Sequence, residues 1–189
     1  MSGPIKIIFV TILGIALLAC ALYFGGSLFV LGLADTSEER LLPLDTDTSL
    51  IGSQAPYFDL PDIAGDHTRI SDLNNAPLVV VFWSTWNSTS ADQVKILDDY
   101  ISSRQNEVEL VHIVAINSQE ERSIVSSFIR RGGYLVPTLV DSQGSVSEQY
   151  KIKSLPTLYF IDRDGIVSEV YSGLISQIML VDKIEGIVR

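Results

Sequence analysis

The run Val79-Val80-Val81-Phe82-Trp83, followed by Ser84-Thr85-Trp86-Asn87-Ser88-Thr89-Ser90, is the strongest constraint on how this chain folds. From Leu78 to Phe82 every residue is apolar, the pattern of a strand buried on both faces. Small polar residues then interrupt it. Val94, Leu97, Tyr100 and Ile101 follow at helical spacing and predict a helix from Thr89 to Ser103 with one apolar stripe. A buried strand that runs straight into such a helix belongs to a layered α/β domain. It also marks a place for function, because the first amides of a helix lack intrahelical partners and carry the positive end of its dipole.

The flanking sequence extends the same architecture. Ala55 to Leu60 and Thr68 to Ile70, joined by a turn around Ala64-Gly65-Asp66, predict a short hairpin. Glu109 to Ile116 reads as a second strand, and Glu120 to Arg131 as a second helix closed by Gly132-Gly133. Pro137 to Val140 is short and extended, and Ser145 to Tyr150 suits one or two helical turns. Thr157 to Ile161 and Ile166 to Tyr171 make a hairpin across Asp162-Arg163-Asp164-Gly165. Ser176 caps a last helix with a stripe through Ile178, Val181, Ile184 and Val188, flanked by Leu180 and Ile187. Thr89 and Asp92 are the expected capping pair of the first helix. The fold class is therefore α/β, a central mixed sheet flanked by helices.

Before this domain lies sequence of another kind. No residue from Ile7 to Ala34 is charged, a stretch longer than the roughly 20 apolar positions that cross a bilayer. The chain divides into an N-terminal transmembrane helix within 1–34, an acidic Ser/Thr-rich linker over 35–51 and a folded domain over 52–189. Lys6 precedes the span, while Asp35, Glu38, Glu39 and Arg40 follow it, which favours a cytoplasmic N-terminus and an exported, periplasmic or extracellular, domain. Leu17-Leu18-Ala19-Cys20 also fits a lipoprotein signal, but the apolar sequence continues from Ala21 to Leu33, as a membrane span requires.

The net charge of −10 argues against nucleic acid as a partner. Cys20 is the sole cysteine, so the domain has neither an internal disulfide nor a cysteine-based zinc site. His67 and His112 are isolated, and no spacing of ligands points to a metal. No cofactor motif is present.

Trp83-Ser84-Thr85-Trp86, Ser154-Leu155-Pro156-Thr157, Ile161-Asp162-Arg163-Asp164-Gly165 and the entry sequence Gly52-Ser53-Gln54-Ala55-Pro56-Tyr57-Phe58 occur in one order and spacing. In these the chain resembles the membrane-anchored TlpA/ResA-like branch of the thioredoxin superfamily, with the redoxin and peroxiredoxin group nearby. The resemblance covers about residues 52 to 189 and implies a thioredoxin-like fold. It also implies exported thiol-disulfide oxidoreductase activity, often in cytochrome c maturation, at a Trp-Cys-x-x-Cys site. Here the two cysteine positions hold Asn87 and Ser90, and the family's Glu-x-Pro inside the helix is Gln93-Val94-Lys95.

That departure excludes dithiol exchange by the domain itself, which needs an attacking thiolate and a second thiol to release the mixed disulfide. Peroxide reduction through a sulfenic acid is excluded on the same ground. Recognition remains. The resemblance makes Pro156 a cis-proline beside the helix N-terminus and leaves the backbone of Leu155 able to pair with an extended chain, with Trp86 as an apolar wall.

The candidate binding residues are thus Trp86, Asn87, Ser90, Leu155 and Pro156. Asn87, Ser88 and Ser90 have a simpler role open to them, capping the helix. Ser90 as a nucleophile lacks a histidine at suitable spacing. Trp83 is expected in the core and Trp86 exposed. Asp162-Arg163-Asp164-Gly165 is read as a turn rather than a calcium loop. Two functions follow: a peptide- or protein-binding module without dithiol chemistry, or an oxidoreductase-family protein that relies on a partner's cysteines.

Overall fold

A computed structural model describes residues 46–73, 76–104 and 111–189. The predicted anchor over 1–34, the first part of the linker and Cys20 lie outside these residues. Among the described residues no helix is long and apolar enough to cross a membrane.

The domain opens with a hairpin of β1 (Asp59–Pro61) and β2 (His67–Arg69), followed by a 3-10 turn over Ile70–Leu73. Strand β3 (Leu78–Trp83) leads to α1 (Ser88–Ser103), β4 (His112–Ser118), α2 (Arg122–Gly132), β5 (Thr138–Asp141) and α3 (Ser145–Gln149). The hairpin β6 (Thr157–Ile161) and β7 (Val167–Ser172) and the helix α4 (Gln177–Val188) close the chain. The main sheet has the order β5-β4-β3-β6-β7. Strand β3 is central, parallel to β4 from Leu78↔His112 to Trp83↔Asn117 and antiparallel to β6 from Leu78↔Ile161 to Phe82↔Thr157. This is a thioredoxin-like α/β arrangement with a mixed sheet.

All residues of β3 are buried, as its unbroken apolar sequence requires. Val79, Val81 and Trp83 join Val94 and Leu97 of α1, Val125 and Ile129 of α2, and Leu180, Ile184 and Ile187 of α4. Leu78, Val80 and Phe82 point the other way, into a second core with Phe58, Val146, Tyr150 and Tyr159. Contacts of the domain reach back beyond Gly52. Lys151 Nζ donates to Ser49 Oγ (2.6 Å), and Lys153 approaches Asp47 (3.7 Å).

Four local expectations change. Of the two caps expected for α1, Asn87 is the one formed and the Thr89/Asp92 pair is not: Asn87 Oδ1 accepts from the Ser90 amide (3.0 Å), and the helix starts one residue earlier than predicted. Helix α2 starts at Arg122, not Glu120, because Gln119 turns the chain at a φ of 60° and the Glu120 side chain reaches back to the β3–α1 connection. Ile178 is 84% exposed, and α4 buries Leu180, Ile184 and Ile187 instead. At 3.6 residues per turn, Ile178 lies about 200° around the helix from Leu180. The strand predicted from Glu109 runs from His112 to Ser118, Glu109 lying outside the described residues.

The turn after β6 is built around one carboxylate. Asp162 Oδ1 accepts from the amides of Asp164 (3.0 Å) and Ile166 (2.9 Å), while Gly165 takes a φ of 79°. These bonds account for the Asp-Arg-Asp-Gly pattern as a turn.

Candidate functional site

The site lies where β3 ends. Trp83 is buried and packs against Phe128, with ring centroids 5.3 Å apart, whereas Trp86 is 71% exposed. Two residues, Ser84 and Thr85, therefore carry the chain from the core to the surface. Glu120 holds this connection: it accepts from the Thr85 amide (2.6 Å), the Thr85 hydroxyl (2.5 Å) and Asn117 Nδ2 (2.8 Å). Charge-assisted bonds of this kind are among the stronger ones a side chain makes.

Asn87 works from both ends of its amide. Oδ1 caps α1 through the Ser90 amide, and Nδ2 donates to the Leu155 carbonyl at 3.2 Å. The Asn87 side chain thus bridges the helix N-terminus and the segment before Pro156. The Leu155–Pro156 bond is cis, with Pro156 buried and Leu155 partly so. Trp86, Asn87, Leu155 and Pro156 are brought to one place, while Ser90 lies beneath it, fully buried.

A third segment joins them that the sequence reading did not single out. The Gly173 amide donates to the Pro156 carbonyl (2.8 Å), and the Ile175 amide donates to Gln93 Oε1 (2.8 Å). Three segments, 84–90, 154–156 and 173–175, are fastened to one another by Asn87, Gln93 and the Pro156 carbonyl. Gln93 was visible only as a departure from Glu-x-Pro. No local pattern marks Glu120 or Gly173, because their roles come from chain crossings.

Ser90 is not built as a nucleophile. Its Oγ is buried without a hydrogen-bond partner. His112 pairs with Leu78 at the opposite end of β3, roughly 17 Å from Trp83 at the usual strand rise. His67 sits on the hairpin with its Nδ1 2.6 Å from Asp59 Oδ1. That contact, followed by the bond from Arg69, holds the exposed Asp59 carboxyl below its ordinary range. Neither imidazole serves Ser90. Among the described residues no group of His, Cys, Asp or Glu side chains is placed to hold a metal.

Trp83 Nε1, Ser84 Oγ, Gln93 Nε2 and Asn117 Oδ1 are likewise buried without a partner. Together with Ser90 they concentrate unsatisfied polar atoms at this end of the sheet.

The family model for AhpC/TSA matches residues 51–170. The thiol-disulfide oxidoreductase ResA of Geobacillus kaustophilus is 30% identical over 67% of this chain and 72% of its own. The Bacillus subtilis ResA is 30% identical over 69% and 72%. A crystal structure of a thioredoxin-family thiol:disulfide interchange protein from Chlorobium tepidum superposes with a TM-score of 0.64 at 19% identity, over 76% of this chain and 100% of that one. The last shows the shared fold, and the family match and the ResA identities show descent: the chain belongs to the AhpC/TSA family, among homologues that are thiol-disulfide oxidoreductases.

Proposed function

We propose that this protein is a member of the thiol-disulfide oxidoreductase lineage that holds a polypeptide at the end of β3 without exchanging a disulfide of its own. The observation that carries the reading is Asn87. It stands at the family's first cysteine position, cannot act as an electron-pair donor to a disulfide, and is committed to the Ser90 amide and the Leu155 carbonyl. Around it the exposed Trp86 and the partly buried Leu155 remain to hold a chain. An extended segment laid against Leu155 would bond through its backbone and bury a side chain on the indole. The apolar stretch from Ile7 to Ala34 would tether this domain on the exported side of a membrane.

A second reading is favoured by the names of the relatives. The protein would bring a partner's dithiol to a client's disulfide, the two partner thiols becoming a disulfide as the client's disulfide becomes two thiols. Its own side chains would only position the two.

The test is a pair of measurements on the full-length protein in detergent. With dithiothreitol and insulin, the rate of insulin reduction is expected to equal that of the reductant alone; a rate above it contradicts the first reading. An extended peptide is expected to bind and to lose about tenfold in affinity with Trp86→Ala, the scale of losing an aromatic anchor.

A further inference from the structure

The end of the sheet opposite Trp86 carries a cavity of its own. It lies where β3 begins at Leu78 and β6 ends at Ile161, roughly 17 Å from Trp83 along the strand. Its volume is about 230 Å³. Ala55, Leu78 and Ile161, all buried, line it with Ile70 and make it apolar within.

The walls of this cavity are fastened to one another. The Ala55 amide donates to the Gly165 carbonyl (2.9 Å), and the Ile70 amide donates to the Phe58 carbonyl (3.1 Å). Gly165, at a φ of 79°, leaves room for the Gln54 amide, whose Nε2 would lie 2.3 Å from a Cβ at that position. A pocket held in this way loses little freedom when it is filled.

The polar side chains of the lining favour one kind of occupant. Gln54, Tyr57 and Ser71 each bring a hydrogen-bond donor. Arg163 brings a guanidinium that donates to the Val188 carbonyl at 3.4 Å and forms no ion pair among the described residues. The acid in the lining is Asp162, whose Oδ1 is already held by the amides of Asp164 and Ile166. One uncommitted cation thus stands beside a committed carboxylate, which selects an occupant with a single negative charge. Tyr57, 55% exposed, leaves an aromatic ring at the cavity. An apolar cavity of about 150 Å³ holds benzene, so the larger space here accommodates one ring with a short side chain.

We propose that this cavity binds a small aryl carboxylate, with the ring among Ala55, Ile70, Leu78 and Ile161 and the carboxylate on Arg163. The site is separate from the end of the sheet that holds a chain and does not depend on that reading.

The test is a titration of isotope-labelled full-length protein in detergent with 3-phenylpropionate, read from the backbone amide signals. The signals of Ser71, Gly165 and Ile166 are expected to shift with a dissociation constant of about 1 mM, the scale for a ligand of so few atoms, while Gly173 at the other end stays in place. The neutral 3-phenylpropanamide is expected to bind about tenfold more weakly, and Arg163→Gln to weaken 3-phenylpropionate by about the same factor. Ser71→Trp fills the cavity from an exposed position and is expected to abolish the shifts with thermal unfolding as in the parent. No shift at Gly165 and Ile166 at about ten times that concentration overturns the proposal. Equal binding of the amide, or undiminished binding by folded Arg163→Gln, overturns it as well, because the carboxylate is then not what is recognised. Shifts that move Gly173 as much as Gly165 assign the ligand to the surface at large and overturn it too.

Discussion

Two regions around β3 are built on opposite terms. On one face Phe82, Tyr150 and Tyr159 pack with ring centroids 5.0 to 6.0 Å apart. Their hydroxyls are satisfied: Tyr150 donates to the Pro56 carbonyl (2.9 Å) and Tyr159 to the Tyr150 carbonyl. At the end facing α1, by contrast, Trp83, Ser84, Ser90, Gln93 and Asn117 each keep a buried polar atom unpaired. Leaving such an atom unsatisfied costs about 1–3 kcal/mol. The aromatic region stabilises the fold, and the polar end gives part of that stability back. Proteins break the rules of packing in this way chiefly at functional sites.

The sharpest way to separate the regions is to damage each in turn. Phe82→Ala removes the centre of the aromatic cluster and is expected to cost about 3–5 kcal/mol in urea unfolding. A loss below about 1 kcal/mol would deny the cluster its role.

Raising pH attacks the same region without mutation. Burial pushes the Tyr159 hydroxyl up to about 12 from the usual 10.0, with the Asp47 carboxylate adding to the effect. Burial raises Tyr150 as well. The folded protein therefore keeps these protons to higher pH than the unfolded chain. The stabilisation is whole below pH 10 and declines as pH rises towards 12, so the urea midpoint is expected to fall across that window. Tyr159→Phe is expected to flatten the decline.

Effects at the polar end are smaller. Asn87→Ala removes the α1 cap and is expected to cost about 1 kcal/mol. Asn87→Ser keeps a capping oxygen but is too short to reach the Leu155 carbonyl, and is expected to stay within about 0.5 kcal/mol of the parent. Least of all, Ser90→Ala is expected to be neutral or slightly stabilising, since it deletes an unpaired buried hydroxyl. A loss above about 1 kcal/mol there would mean that Ser90 has a structural partner.

The contrast also separates what was legible in the sequence from what was not. Leu78 to Phe82 announced a central strand because its period and composition are local, and Trp83 and Trp86 could be assigned to core and surface from their places along it. The resemblance carried the Leu155–Pro156 conformation. Both Asn87 and the Thr89/Asp92 pair were read as caps because all three are capping residue types, and only the course of the backbone, which selects Asn87, chooses among them. Ile178 was misread because Ile178 and Met179 put apolar residues on the outer side of the first turn of α4, where its sequence period does not fix which side faces the sheet. Glu120 and Gly173 gave no signal, and Gln93 only a departure from the family pattern, since each acts on a segment distant in sequence.

The central claim is that this end of the sheet is built to hold a chain and does not exchange a disulfide for want of thiols at 87 and 90. Installing them tests it most directly, by insulin reduction with the full-length protein carrying Asn87→Cys and Ser90→Cys. A thiol at the α1 N-terminus has its pKa lowered there, so the doubly substituted protein is expected to reduce insulin at least about tenfold faster than its parent, which should not exceed dithiothreitol alone. A folded double variant that stays inactive, or a parent that is already active, would contradict the claim.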